Sequence, residues 1–283
     1  MLFRSAVVVK SMQGASGLKA TNYLYNVAPK DGTEIAGTHG QIPLQQLFNT
    51  DGVQYDANKL SWIGSATKEY YLNYMWHTSP VQSIEDAKAK ESTVGGQALG
   101  SMSVDLAVLS NEMVGTKYKI VTGYTGNAEA QLAVERGEIN GHGGTTSILR
   151  EKADWIAQKK IKVISQFGLT KYKALPDTPL IIDYVIKHDD KEALRLFLAR
   201  QETGKPYFAP PGIPKDRLEI LRKAFDNALK DPGFLADVAS QQLDFADPLT
   251  GPEVEAFVAR MMGTPPTYGK RIDDVFRAWS AKK

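Results

Sequence analysis

Gly95, Gly96, Gly100, Ser101 and Ser103 crowd together where "VGGQALGSMSVDLAVLSNEM" (94–113) turns from a glycine-rich run into an amphipathic stretch. The chemistry open to such a run is anion binding. The first turn of a helix has free backbone N–H groups and the positive end of the helix dipole, and glycine lets a ligand approach them. The same residues would also make an ordinary strand-to-helix turn with a serine cap, because Ser and Gly are favoured at helix starts. The rest of the chain has to separate the two readings.

Covalent and metal chemistry find little support. The chain has no cysteine, which removes thiol nucleophiles, disulfides and Cys-type zinc sites together. Its histidines, His39, His77, His142 and His188, include no two spaced i+3 or i+4 as a metal-binding helix would have them, a carboxylate four residues away (Glu138 before His142, Glu192 after His188) makes no ligand set by itself, and all four read as surface or strand-end residues. No G-x-S-x-G elbow and no G-x-x-x-x-G-K-[ST] loop occurs. Glu85, Asp86, Glu135 and Glu138 fall on predicted polar faces. The expectation is therefore no catalytic residue, no metal and no cofactor.

What recurs is a small, polar, uncharged loop at the predicted carboxyl end of successive strands: "QGAS" at 13–16, "THGQ" at 38–41, "SATK" at 65–68, "GGQALGSMS" at 95–103, "GYTGNA" at 123–128 and "GGTTS" at 143–147. Each alone is turn chemistry. In parallel sheets, however, ligands bind in the crevice beyond the strand carboxyl ends. Together the loops predict a cleft, nearly free of acids, that holds a small anion through N–H and hydroxyl donors and one lysine, Lys68.

The elements that must position these loops alternate. "SAVVVK" (5–10) reads as a buried strand, "LKATNYLYNVA" as a helix and "TEIAGTH" as a second strand; "LSWIGSATKEYYLNYMW" gives one or two strands broken near 66–68. "STVGG", "KYKIVTGY", "INGHGG" and "KIKVISQFG" follow as strands with helices between them, which predicts mostly parallel sheets covered by helices. The last third is helical, with Pro210, Pro211 and Pro214 fixing an extended segment suited either to a crossing between lobes or to a surface loop.

At 283 residues and 42% hydrophobic content the chain can bury one large core or two smaller ones. A net charge of +2 with interspersed signs offers no basic stripe for nucleic acid. No apolar run is long enough to span a membrane, and "MLFRSAVVVK" is too short for a signal peptide.

The run "QGASGLKATNYLYNVAPKDGTEIAG" resembles the solute-binding proteins of tripartite tricarboxylate transporters, the Bug or TctC family. The "GS-x-S" helix start at 100–103, "GYTGNAEAQLAVERGEING", "ALPDTP" at 174–179 and "APPGIPKDRLEILRKAFDNALKDPGF" at 209–234 agree with it in order along the chain. The resemblance implies a two-lobed, type II periplasmic-binding-protein-like α/β fold with interlobe crossing strands, lobe 1 formed by 1–95 and 207–283 and lobe 2 by 96–206. It implies a periplasmic monomer that closes over a small di- or tricarboxylate and delivers it to membrane transporter subunits. Carried over residue by residue, the ligand-binding positions are Gly14, Ala15, Ser16, Thr38 and His39 on one lobe, and Ser101, Ser103, Thr125, Gly126, Asn127 and Thr145 on the other.

Two departures stand out. The family's upstream strand and P-[FY]-x-x-G-G loop have no counterpart before "VVVK", and Gly144 occupies a place where many members carry Asp. Two other functions share the scaffold: an enzyme acting on a small organic acid, which would need His39 or His142 as its base, and a sensor for a membrane partner.

Overall fold

Trp62 and Phe208 meet edge to face with ring centroids 5.0 Å apart, and a first hydrophobic cluster condenses around them with Leu18, Leu24, Val254 and Val258. The protein is seen here as a computed structural model that describes residues 7–12, 14, 17–48, 50–241, 243 and 245–282. In chain order its elements begin α1 (Leu18–Asn26), β1 (Ala36–Gly37), α2 (Ile42–Leu47), β2 (Ser61–Ser65), β3 (Tyr71–Trp76), α3 (Ile84–Ala89), β4 (Ser92–Gly96) and α4 (Met102–Leu109). They continue β5 (Tyr118–Thr122), α5 (Asn127–Glu135), β6 (Gly141–Thr145), α6 (Ile148–Glu151), α7 (Ala153–Ala157), β7 (Ile161–Phe167) and α8 (His188–Ala199). The chain closes with β8 (Pro206–Ala209), α9 (Lys215–Ala228), α10 (Pro232–Ser240), β9 (Leu249–Thr250), α11 (Gly251–Met262) and α12 (Pro266–Ser280).

These strands form two sheets, one ordered β1-β8-β2-β9 and the other β5-β4-β6-β3-β7. The second sheet is buried on both faces. Beneath α4, α8 and α12 it packs Val94, Ile164, Phe167, Leu194, Phe197, Ile272 and Val275; the other face packs Leu72, Tyr74, Val134 and Trp155. The helix-covered sheets expected from the strand–helix rhythm, and the two-sheet α/β architecture that the resemblance implies, are present.

Its details depart from the sequence reading in three places and settle one choice that the reading left open. The sheets are not mostly parallel: β4 runs parallel to β5 and β6, but β3 is antiparallel to β6 and β7, and β2 and β8 are antiparallel throughout the first sheet. Residues 7–10 form no strand, Val7, Val8 and Val9 are exposed, and no strand among the described residues pairs with them; residues 5 and 6 lie outside the described residues. β3 and β4, assigned by sequence to the first lobe, pair in the second sheet, so the break near 66–68 is the crossing and the expected boundary at 95 falls too late. Of the two roles left open for Pro210, Pro211 and Pro214, the structure has the loop, between β8 and α9, where the Pro210 carbonyl accepts from Ser61 Oγ at 2.8 Å; the crossing is the segment just before β8.

Two stretches run side by side between the sheets, 66–70 leading out of β2 and 200–205 leading into β8. The Ala66 N–H donates to the Lys205 carbonyl at 2.9 Å, and the Glu69 N–H donates to the Gln201 carbonyl at 2.9 Å. Lys68 and Glu202 form an ion pair at 2.7 Å between them, both side chains less than a fifth exposed. A third link is the turn from α11, which covers the first sheet, to α12, whose Ile272 and Val275 enter the core of the second; Arg271 fastens it to Asp190 at 2.6 Å.

Gly40 interlocks with this ladder. A Cβ there would overlap the carbonyl oxygens of Arg200 and Thr203, backbone atoms that cannot step aside. Gly100, at φ +94°, would meet nothing within 4 Å. Gly40→Ala is therefore expected to cost about 3 kcal/mol of unfolding free energy, against about 1 kcal/mol of left-handed strain for Gly100→Ala. Denaturant titration of both variants measures the difference; equal costs would contradict the interlock.

Candidate functional site

The crossings decide which strand ends face each other. β1 and β2 end, and β8 begins, at one edge of the first sheet: Ser65 lies opposite Pro206, and the Thr38 N–H donates to the Pro206 carbonyl at 3.1 Å. In the second sheet β4, β5 and β6 share a direction, so their carboxyl ends lie along one edge, and β3 enters at that edge with Tyr71 opposite both Thr145 and Phe167. Residues 66–70 join the two edges directly.

On the first-sheet side, Gly17, the N-cap of α1, packs against Thr38: a Cβ on it would lie 3.4 Å from the Thr38 methyl. The Gly14 carbonyl accepts the Gly17 N–H at 3.2 Å, closing the turn that leads into α1. Gly14 and His39 are exposed and Thr38 half-buried. Ala15 and Ser16 lie outside the described residues.

On the second-sheet side the glycine-rich run resolves into separate jobs. A Cβ at Gly95 would strike Ile139 and Tyr124, in the loops flanking α5, and one at Gly96 would strike Ser103 and Val104 of α4, so these two glycines let those loops and α4 approach the sheet. Ser101 is the N-cap of α4, yet its side chain makes no cap bond: its hydroxyl donates to the Ala98 carbonyl at 2.6 Å and lies 3.3 Å from Ser103 Oγ. The carboxylate of Asp105 instead accepts the N–H of Gly100, the residue before the N-cap, at 2.7 Å and so fixes the chain's entry into α4. The amides of Met102 and Ser103, first in the helix, are left without helical acceptors. Ser103 itself is buried against Gly96 and Gly143, whereas Ser101 stays half-exposed.

The loop at 123–127 is less free of acid than its sequence suggests. Both the N–H and the hydroxyl of Thr125 donate to Glu129 Oε2, at 2.6 and 2.8 Å, and these bonds hold the Glu129 carboxyl below its ordinary value. Gly126 is the N-cap of α5 and Asn127 its exposed first residue; Gln97 reaches across to the Thr125 carbonyl at 3.5 Å. Thr145 Oγ1 lies 2.8 Å from Ser147 Oγ at the end of β6.

Lys68, the cation expected from sequence, is consumed by Glu202. The cation that does face the junction is Arg200, at the end of α8. Its Nη2 is 3.7 Å from Asp105 Oδ2 and touches Met102 Sδ, its Cζ stands 4.0 Å from the Phe197 ring centroid, and its Nε is buried with no partner among the described residues. Burial pushes the Asp105 carboxyl up to about 6, against the pull of Arg200 and the Gly100 N–H. Beside them Tyr71 donates to Glu69 at 3.0 Å, Glu69 pairs with Lys205 at 2.9 Å, and Lys205 Nζ lies 3.1 Å from His39 Nδ1. Partial burial, then the Lys205 ammonium, lower the pKa of His39. Sequence reasoning missed Arg200 because it sits in an ordinary amphipathic run, "DKEALRLFLARQ", with no motif around it.

His142 is sealed inside the second sheet. Its Nδ1 is 2.8 Å from the Gly95 carbonyl, which can only accept, so Nδ1 carries the proton; Nε2 is buried and unpartnered among the described residues. Among those residues there is no group of three or more His, Asp or Glu able to hold a metal ion, and no helix is long and apolar enough to cross a membrane.

Two helix-covered sheets joined by paired crossings, with their loop-bearing edges turned together, define the fold of periplasmic solute-binding proteins. No family model and no curated protein matches the chain. Solved structures do. A TctC solute-binding protein from Polaromonas, solved with no ligand, superposes with a TM-score of 0.69 at 16% identity, over 92% of this chain and 84% of that one. The periplasmic binding protein BugD gives 0.61 at 17% identity, over 93% and 84%. MatC from Rhodopseudomonas palustris, with bound malate, gives 0.56 at 16% identity, over 93% and 85%. The fold is thus that of the TctC and Bug solute-binding proteins.

The buried histidine makes stability depend on pH. Burial lowers the folded-state pKa of His142, opposed by its bond to Gly95, so its contribution is complete above the unfolded value near 6.5 and is lost as the pH falls below it. Unfolding free energy should drop between about pH 7.5 and about pH 5, and the drop should shrink in His142→Asn. An unchanged slope would contradict this assignment.

Proposed function

We propose that the chain is an extracytoplasmic solute-binding protein of the tripartite tricarboxylate transporter kind. It acts as a periplasmic monomer that closes its two α/β units over a small carboxylate and presents it to membrane transporter subunits. The observation that carries this reading is the meeting of two loop-bearing edges across paired crossings, which gives a guest donors from both sides and a hinge between them. Fold similarity to TctC and BugD supports the role, and the malate held by MatC supports a carboxylate as cargo.

In this reading the first contacts come from Thr38 and His39 on one edge and from Ser101, the α4 amides and Thr145 on the other, with Gly14 closing the near wall. Gly126 and Asn127 flank the far wall. Ser103 acts through its backbone, since its side chain packs on glycine, and Thr125 contributes once Glu129 yields it. Such a site holds without attacking. The enzyme alternative has weak candidates for its base: His142 is enclosed and His39 is engaged with Lys205. The lack of a basic stripe argues against nucleic acid as a partner.

Isothermal calorimetry with acetate, malate, adipate and citrate tests the proposal. At least one di- or tricarboxylate should bind, and its affinity should fall about fivefold in Thr38→Val and in Ser101→Ala, each of which removes one neutral hydrogen bond. Flat heats for every acid on folded protein would contradict it.

A further inference from the structure

Arg200 is a buried cation whose hydrogen bonds are largely unmade. A guanidinium offers five N–H donors in a planar fork. Here Nη2 meets a thioether, a weak acceptor; the nearest carboxylate oxygen is 3.7 Å away, beyond hydrogen-bond length; and Nε meets nothing among the described residues. Phe197 covers one face of the fork, and the thioether of Met102 lies at its edge. A buried charged donor without an acceptor is costly, and an incoming oxygen acceptor would relieve that cost.

The position of the side chain gives the acceptor a route. Arg200 leads into the 200–205 crossing, its carbonyl lies against Gly40 of the first-sheet loop, and its guanidinium lies against Met102 at the start of α4. It therefore touches both walls of the proposed cleft, and 15% of its side chain remains exposed. The other charges at the junction are already matched: Lys68 with Glu202, Lys205 with Glu69, and one oxygen of Asp105 with the Gly100 N–H.

We propose that Arg200 is the charged anchor for one carboxylate of a dianionic guest, kept in place by Phe197, Met102 and Asp105 until the guest supplies the missing oxygens. Resting on the solute-binding reading above, this assigns selectivity. Neutral donors of the loops take one carboxylate, Arg200 takes the other in a forked contact, and acids with two carboxylates are preferred over acids with one.

Calorimetry on the whole chain compares the wild type with Arg200→Gln and Arg200→Lys, using malate, adipate and the monocarboxylate butyrate, with thermal melts to verify folding. Arg200→Gln should weaken malate or adipate, whichever binds the wild type more tightly, by at least about tenfold and butyrate by less than about twofold, and Arg200→Lys should recover part of the loss. A folded Arg200→Gln that binds the dicarboxylate as the wild type does, or loses both classes equally, overturns the anchor. Arginine labelling of the wild type with phenylglyoxal, read by peptide mass spectrometry, decides the matter if the variants do not fold: the same dicarboxylate should slow labelling at Arg200 several-fold, and no protection overturns the proposal. A wild type that binds none of these acids defeats the solute-binding reading itself, an outcome distinct from binding that ignores Arg200.

Discussion

The backbone ladder between 66–70 and 200–205 is the constraint from which the remaining geometry follows. Ala66 bonded to Lys205 and Glu69 bonded to Gln201 tie two chain segments together where they pass from sheet to sheet. Because the first segment leaves β2 at its carboxyl end, β3 must enter the second sheet at the edge where β4, β5 and β6 stop. It therefore runs antiparallel to β6. Because the second segment arrives where β1 and β2 stop, β8 must run against both of them. The antiparallel pairs that depart from a purely parallel α/β sheet are thus a consequence of the crossings, and so is the meeting of the loop-bearing edges.

Charge at this junction is arranged around the ladder. Lys68 and Glu202 neutralise each other with little exposure, and Lys205 and Glu69 repeat the pattern nearer the rim beside His39. Burying such pairs gains little net stability, because desolvation offsets much of the attraction. They leave the local field to Arg200, Asp105 and the amides at the start of α4. Asp105, raised by burial to about 6, is a poor competitor for Arg200 as it stands, 3.7 Å away.

Local pattern carried much of the fold. Short apolar runs located β4, β5, β6 and β7, and the helical last third contains α9 and α10, the second capped by Asp231 and opened by Pro232. The failures share one cause, since each depended on a partner distant in sequence. Three valines at 7–9 look like a strand but pair with none among the described residues. Whether β2 and β3 are one strand or two stays open until the pairing of β3 with β6 and β7 is known. Of the candidate site, the loops at 38–41 and 143–147 and the start of α4 were legible as polar strand ends. Ser103 turned inward onto Gly96, Thr125 was claimed by Glu129, Lys68 by Glu202, and Arg200 gave no local signal because its neighbours Asp105, Met102 and Gly40 are far away in the chain.

The chain contains no cysteine, so a pair introduced at Lys19→Cys and Ala128→Cys, exposed positions on α1 and α5, can be spin-labelled without background. Electron–electron dipolar spectroscopy, with and without saturating malate or adipate, whichever calorimetry shows to bind, then reads the distance between the two α/β units directly. Closure about the crossings predicts a shorter and narrower distance distribution when the acid is bound. A distribution that stays the same while calorimetry registers binding would contradict closure of the units over an anion.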